Sequence, residues 1–368
     1  MHTHPPVHVQ VLALDAPGLL DHWRALGSAG GGSSPFLSWQ WAAALAAVPA
    51  VSASMQVLLV VQQGRVLGLF PVEHWRDGTG LRVLGAAGGQ WLGPDHLDVV
   101  AAPADRAAVA AAVVGHVGAG SWDLLDLEGL SADGALAAAL GRLRAPRFLR
   151  LPDREVPGPY IDLRPREPAL LLPSRNLRQQ VTRGGRAAES AGGGLRVDAL
   201  PFEVVEGLQD LMALHQQRYA GVSQIFASVD RRHFHAEAAR RLAGSGLARI
   251  YRLEVEGRDA ALLYALKSGD TLHYYSMGIR PELAPSPGRT LLGQCLLSAA
   301  EEGLIELDLL RGEHDFKMRF ASGVRVDLHV RIMRPTARSL RSIAGRAAAR
   351  LRDKMRPDGS EPSTARTT

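Results

Sequence analysis

The sequence predicts a mixed α/β fold, with one mixed sheet built by two similar modules packed side by side. Two observations carry this. Residues 55–85 and 248–278 each read as three short apolar strands separated by glycine turns. Each stretch is then followed by an Ala/Leu-rich helix and by a strand of similar text, Trp122 to Leu127 and Ile305 to Leu310. A shared order held over roughly 70 residues is the mark of a duplicated unit.

In the first copy the strands fall at 57–62, 67–75 and 81–84, with turns at Gly64 and at Gly78/Gly80. A helix over 104–117 and a strand over 122–127 follow. In the second copy the strands are expected at 249–256, 260–267 and 272–277, with turns at Gly257 and Gly269. A helix over 290–302 and a strand over 304–310 complete it. Helices over 202–219 and 231–242 lead into this second copy.

Between the copies, 152–173 holds Pro152, Pro157, Pro159, Pro165, Pro168 and Pro173 and reads as a linker with one short strand, 160–163. Next comes a basic segment, 175–191, helical in part and broken by Gly184-Gly185. These signals divide the chain into an N-terminal segment (1–34), a first module (35–163), a second module (164–335) and a basic helix with a polar tail (336–368).

Composition sets bounds. With 46% hydrophobic and 21% charged residues in 368, packed cores are affordable throughout and disorder is excluded for most of the chain. No run of 18 apolar residues occurs, and the N-terminus lacks the charged and apolar regions of a signal peptide, so a cytoplasmic location is expected. Cys295 is the single cysteine, which rules out an intrachain disulfide, and its helical spacing among leucines marks it as a buried thiol. The net charge is +5, with Arg spread widely and concentrated only over 331–356. There Leu340, Ile343, Ala347 and Leu351 recur at helical steps, giving a basic amphipathic helix that either packs on the domain or touches an anionic membrane surface.

The chemistry concentrates in 285–320. Ser286, Gly288, Arg289 and Thr290 stand where a strand gives way to a helix. The first N–H groups of such a helix lack partners, glycine allows close approach, and Arg289 adds charge, so a diphosphate suits the place; a plain capped turn is the alternative. Past the following strand lies a polar cluster, Arg311, Glu313, His314, Asp315 and Lys317. Adjacent residues cannot all turn toward one ion, so no metal is expected there. Nor does the chain hold the Gly-x-Ser-x-Gly elbow of a serine hydrolase.

Ser286-Pro287-Gly288 with Leu291-Leu292, and Asp308 through Glu313 with Phe316-Lys317, resemble the signature of the CelD/BcsL-type acetyltransferases. These are a branch of the GNAT superfamily related to the FemABX aminoacyl transferases. Pro35-Phe36 with Trp41, Gly68 to Val72, and Ser174 to Arg178 extend the resemblance over roughly 35–335. It departs where Phe316 replaces the family's Tyr and Phe320 its Trp, so no proton-donor role for that Tyr carries over.

The resemblance implies a duplicated GNAT-like fold and transfer of an acetyl or other acyl group from acetyl-CoA, as acyl donor, to an amine. The acceptor is a small molecule or a glycan or peptide amine, and no specific nucleic acid is expected. Met277, Gly278 and Ile279, together with Ser276, would hold the pantetheine arm. Ser286, Gly288, Arg289 and Thr290 would hold the diphosphate. Glu313, His314 and Lys317 are the candidate catalytic residues, and His273, Tyr275 and Arg311 the candidate acceptor contacts. His96 of the first module is the reserve base. Lacking an Arg at its helix start, the first copy is expected to be a degenerate, acceptor-side module. An aminoacyl-tRNA-dependent transferase and a non-catalytic scaffold of the same fold are the competing readings.

Overall fold

The computed structural model describes residues 7–31, 34–164, 167, 171–219 and 221–341. Most of the basic helix expected over 331–356, and all of the tail, therefore lie outside the described residues. Residues 323–333 form a strand instead of starting that helix.

The strands are β1 (His8–Leu12), β2 (Met55–Gln62), β3 (Arg65–Arg76), β4 (Arg82–Ala86), β5 (Val100–Ala101), β6 (Leu124–Ser131) and β7 (Leu149–Arg150). There follow β8 (Arg154–Asp162), β9 (Gly194–Asp198), β10 (Ala248–Val255), β11 (Arg258–Ser268), β12 (Thr271–Ile279), β13 (Glu306–Asp308) and β14 (Gly323–Met333). They form one mixed sheet in the order β1-β2-β3-β4-β6-β14-β8-β13-β12-β11-β10-β9, with β5 beside β3 and β7 beside β14. Each copy thus gives an antiparallel run closed by one parallel pair, β4 with β6 and β12 with β13. The two copies meet at the centre by exchange. β8 follows the first copy in the chain yet pairs with β13, while β14 follows the second copy yet pairs with β6. β8 and β14 then pair with each other from Arg154 to Tyr160.

Three expectations need correction. The linker reading of 152–173 misses a nine-residue central strand, β8, which contains Pro157 and Pro159. Prolines are tolerated there because only their carbonyls are needed on the β13 side: Pro159 accepts from Leu309 N–H and Pro157 from Gly312 N–H. The strand expected over 304–310 pairs only at Glu306–Asp308, since Leu310 adopts φ 56° and its N–H turns back to Asp308 Oδ1 at 2.8 Å. The basic helix is unbroken from Arg175 to Ser190. A Cβ on Gly184 would stand 2.2 Å from Thr290 Oγ1, and one on Gly185 2.6 Å from Gln294 Nε2, so these glycines permit close helix crossing. Their low helix propensity is outweighed by that contact against the Pro287–Glu301 helix.

Each face of the sheet is covered by helices. Trp41, Phe234 and Tyr264 are fully buried in the larger core, which runs under the helices Trp39–Ala46, Pro201–Tyr219 and Val229–Ala243. Cys295, Leu291, Leu292 and Leu296 belong to a second core beneath the helices Arg175–Ser190 and Pro287–Glu301. Ser38, Ser174 and Ser228 each cap a helix by accepting a backbone N–H on the side chain.

Candidate active site

The two parallel pairs differ in what lies beside them. β4 and β6 pair at Val83–Gly85 against Leu124–Asp126. Beyond that point the gap is filled by the chain itself. Leu97 bridges Leu130 in parallel, its N–H donating to Gly129 O at 2.7 Å and its carbonyl accepting from Ser131 N–H at 3.0 Å. Gly129 has φ 77°, and a Cβ there would come 1.9 Å from Pro94 O. Segment 94–98 is therefore an inserted strand-like plug in the first copy.

In the second copy β12 and β13 pair only at Thr271–His273 against Glu306–Asp308, and β12 then runs on to Ile279 while the chain after Asp308 turns away. The register of β12 against β11 slips at Tyr275, which is an unpaired bulge residue. Bulges of this kind gather beside active sites because they re-aim a side chain and end regular pairing. Above β12, Ser286 takes φ 52° and the helix begins at Pro287. Gly288 is buried against Met277 and Ile279; a Cβ on it would meet Met277 Sδ at 3.0 Å. Arg289 is half-buried, with Nη1 donating to Gln180 Oε1 at 3.4 Å, and Thr290 is buried at Gly184.

The plug carries Asp95 and His96 into the junction, where they meet the end of β13. His96 has φ 56° and is 9% exposed. Its Nε2 lies 2.7 Å from Asp308 Oδ2, an ion-pair contact off the line of a straight hydrogen bond. Its Nδ1 lies 3.1 Å from Asp327 Oδ1, and its backbone N–H donates to Asp327 Oδ2 at 2.7 Å. Burial pushes the imidazole pKa down, but the facing carboxylates of Asp308 and Asp327 outweigh it and raise it to about 10. Burial pushes the Asp308 carboxyl up, yet His273 and His96 hold it below the usual carboxylate range.

Arg311 closes the junction from the second copy. Its Nε donates to Asp95 Oδ1 at 2.6 Å, its Nη2 to Pro94 O at 2.7 Å, and Nη1 lies 3.3 Å from Glu128. Burial raises the Asp95 pKa, opposed by the Arg311 charge. Lys317 is buried, with Nζ donating to Leu309 O at 2.7 Å and Arg311 O at 2.8 Å, and lies 5.4 Å from the Tyr274 ring centroid. Desolvation lowers its pKa to about 8.

The residues singled out in the sequence thus fall in different surroundings. Arg311, Lys317 and His273 share the junction with His96, and the loop residues Glu313 and His314 sit beside it, exposed. Tyr275 packs with Trp41, His235 and Tyr264 at ring-centroid distances of 5.7, 5.5 and 5.6 Å. Met277, Gly278 and Ile279 pair with β11 but lie past the end of the β13 ladder, and Ser286 to Thr290 stand at the helix start above them. Asp95 and Asp327 were not anticipated. Asp95 sits in a Gly-Pro-Asp-His stretch whose turn chemistry was visible, whereas Asp327 lies in an ordinary strand with no local signal.

Residues 175–318 match the family model of the GNAT acetyltransferase domain. No curated protein matches the chain. Among solved structures the chain is similar to FemX, with 12% identity and TM-score 0.56 over 84% of this chain and 94% of that one. A protein of unknown function from Bacteroides thetaiotaomicron gives 11% identity and TM-score 0.56, over 86% and 97%. A C-terminal domain assigned to lysylphosphatidylglycerol synthetase in Agrobacterium fabrum gives 12% and 0.54, over 89% and 95%. At these identities the likeness is one of fold. The family match lies within the second copy, and the whole has a duplicated GNAT-like α/β fold.

Proposed function

We propose that this chain is an N-acyltransferase that moves an acetyl or other acyl group from acyl-CoA to an amine, of the CelD/BcsL type. The observation that carries the reading is the contrast between the two splayed strand pairs. In the first copy segment 94–98 fills the gap, so the module over 35–163 serves as acceptor-side scaffold. In the second copy β12 keeps Tyr274 to Ile279 outside the β13 ladder, beneath a helix start, so the module over 164–335 takes the donor. Ser276, Met277, Gly278 and Ile279 offer backbone groups to an extended pantetheine arm as an added strand would. The Gly288 N–H at the helix start, with Ser286, Arg289 and Thr290 around it, suits the diphosphate.

In the transfer, the amine nitrogen bonds to the thioester carbonyl carbon, the C–S bond breaks, the nitrogen loses a proton and the thiolate gains one. Glu313 and His314, on the open side of the junction, are the proposed proton carriers, and His96 the reserve. Lys317 and Arg311 bring positive charge to the end of β13, where the carbonyl oxygen becomes negative. His273 and Tyr275 line the acceptor side from beneath. The acceptor class is an amine on a small molecule, glycan or peptide. A cytoplasmic location is part of the proposal, with membrane contact through the basic C-terminal segment; no helix of the described residues is long and apolar enough to cross a membrane.

Calorimetric titration with acetyl-CoA, beside a tRNA-binding assay, tests the reading. One acetyl-CoA per chain is expected. Binding of tRNA without acetyl-CoA would move the function to aminoacyl transfer, and binding of neither would leave a scaffold.

A further inference from the structure

The turn joining β11 to β12 places three side chains in line that the proposed transfer does not use together. Ser268 pairs with Thr271 across the hairpin and His273 with Leu266, so Ser268 and His273 are diagonal neighbours on one face. Ser268 Oγ lies 2.8 Å from His273 Nε2. The parallel register then sets His273 beside Asp308, with Nδ1 3.5 Å from Oδ2, an ion-pair distance at which no hydrogen bond is made in this state. Burial deepens along the line: Ser268 is half-buried, His273 is 2% exposed and Asp308 is 0% exposed. Ser268 also lines a cavity of ≈ 370 Å³ at the junction of the two copies, walled by Trp23, Ser34, Ser38, Trp39 and Gly269.

We propose that Ser268, His273 and Asp308 form a nucleophilic triad, giving this pocket a second activity as an esterase or thioesterase toward small acyl groups. A triad is defined by geometry and role and needs no particular sequence order, so the missing Gly-x-Ser-x-Gly elbow does not exclude one. Ser268 Oγ bonds to the acyl carbon while its proton passes to His273 Nε2. The carbon's bond to the leaving oxygen or sulfur breaks, and that atom takes the proton from Nε2. Water then repeats the sequence, releasing the acid and restoring Ser268. Asp308 faces the Nδ1 side of His273, where its charge stabilises the imidazolium and a small approach closes the hydrogen bond when the acyl group is bound. Asp308 is itself fixed by the Leu310 N–H and by His96. Gly269, the residue after the nucleophile, has φ 54° and open space where a Cβ would stand, and its N–H is assigned as the donor to the carbonyl oxygen.

An alkyl fluorophosphonate tests this without any reference to coenzyme A. The intact chain at pH 8 is expected to gain one phosphonyl group, located by peptide mass spectrometry on Ser268. Ser268→Ala should gain none, His273→Gln should react at least about tenfold more slowly, and Ser34→Ala and Ser38→Ala should label like the parent. Hydrolysis of p-nitrophenyl acetate should follow the same order. No adduct, an adduct at another residue, or an unchanged rate in a His273→Gln variant with native circular dichroism overturns the triad. Should that variant fail to fold, the position of the adduct in the parent chain and its loss in Ser268→Ala decide.

Discussion

Raising the pH from 6.5 to 8 should cost the native state about 2 kcal/mol through His96 alone. The imidazole pKa is raised from 6.5 to about 10 in the fold, so the folded chain binds one more proton than the unfolded chain between those values. Stability from this group is complete below pH 6.5 and falls by about 1.4 kcal/mol per pH unit above it. Lys317 acts with the opposite sign. Its pKa is lowered from 10.5 to about 8, so above pH 8 the folded chain has released a proton that the unfolded chain retains. Stability then rises with pH, and the two slopes cancel from about pH 8 to about pH 10. The expected profile is a decline from pH 6.5 to 8 followed by a plateau. Urea denaturation at half-unit steps of pH measures it, with variants read as differences from the parent so that other titrating groups cancel. His96→Gln should remove the decline, and Lys317→Met should turn the plateau into a continued fall. A His96→Gln curve parallel to the parent's from pH 6.5 to 8 would refute the buried imidazolium.

Arg289→Ala should weaken acetyl-CoA binding by about 1–3 kcal/mol, the range for a charge-assisted hydrogen bond; an unchanged Kd in a folded variant removes the loop from the donor site. Of Glu313→Gln and His314→Ala, at least one should lose about 10²–10⁴-fold in turnover at unchanged donor affinity, and near-normal rates in both would pass the role to His96. Gly129→Ala should destabilise by about 1–3 kcal/mol by straining a positive-φ position and driving a methyl into Pro94 O; a neutral denaturation midpoint would mean the plug is loose. Residues 1–163 and 174–335 expressed apart should be poorly soluble, because β8 and β14 each pair across the division; two well-behaved monomers that ignore each other would contradict this.

The sequence by itself determined the parts whose signals are local. The paired strand–turn–strand runs, the helices after them and the Ser-Pro-Gly start of the Pro287–Glu301 helix follow from hydrophobic period and turn residues that act within a few positions. The duplication was legible for the same reason, as a local pattern met twice. Only the tertiary structure decided how the copies join. Pro157 and Pro159 speak against a central strand until the carbonyl-only pairing with Leu309 and Gly312 is seen, and Gly184-Gly185 read as a break until Thr290 and Gln294 fill the space beside them. The polar junction was least legible, since His96 meets Asp308 and Asp327 across more than 200 residues of chain. Burying charge requires a partner, but a sequence does not say which carboxylate will close on which imidazole. Here the exchanged strands and the plug settle it, because they are what carry Asp95, His96 and Asp327 to the end of β13.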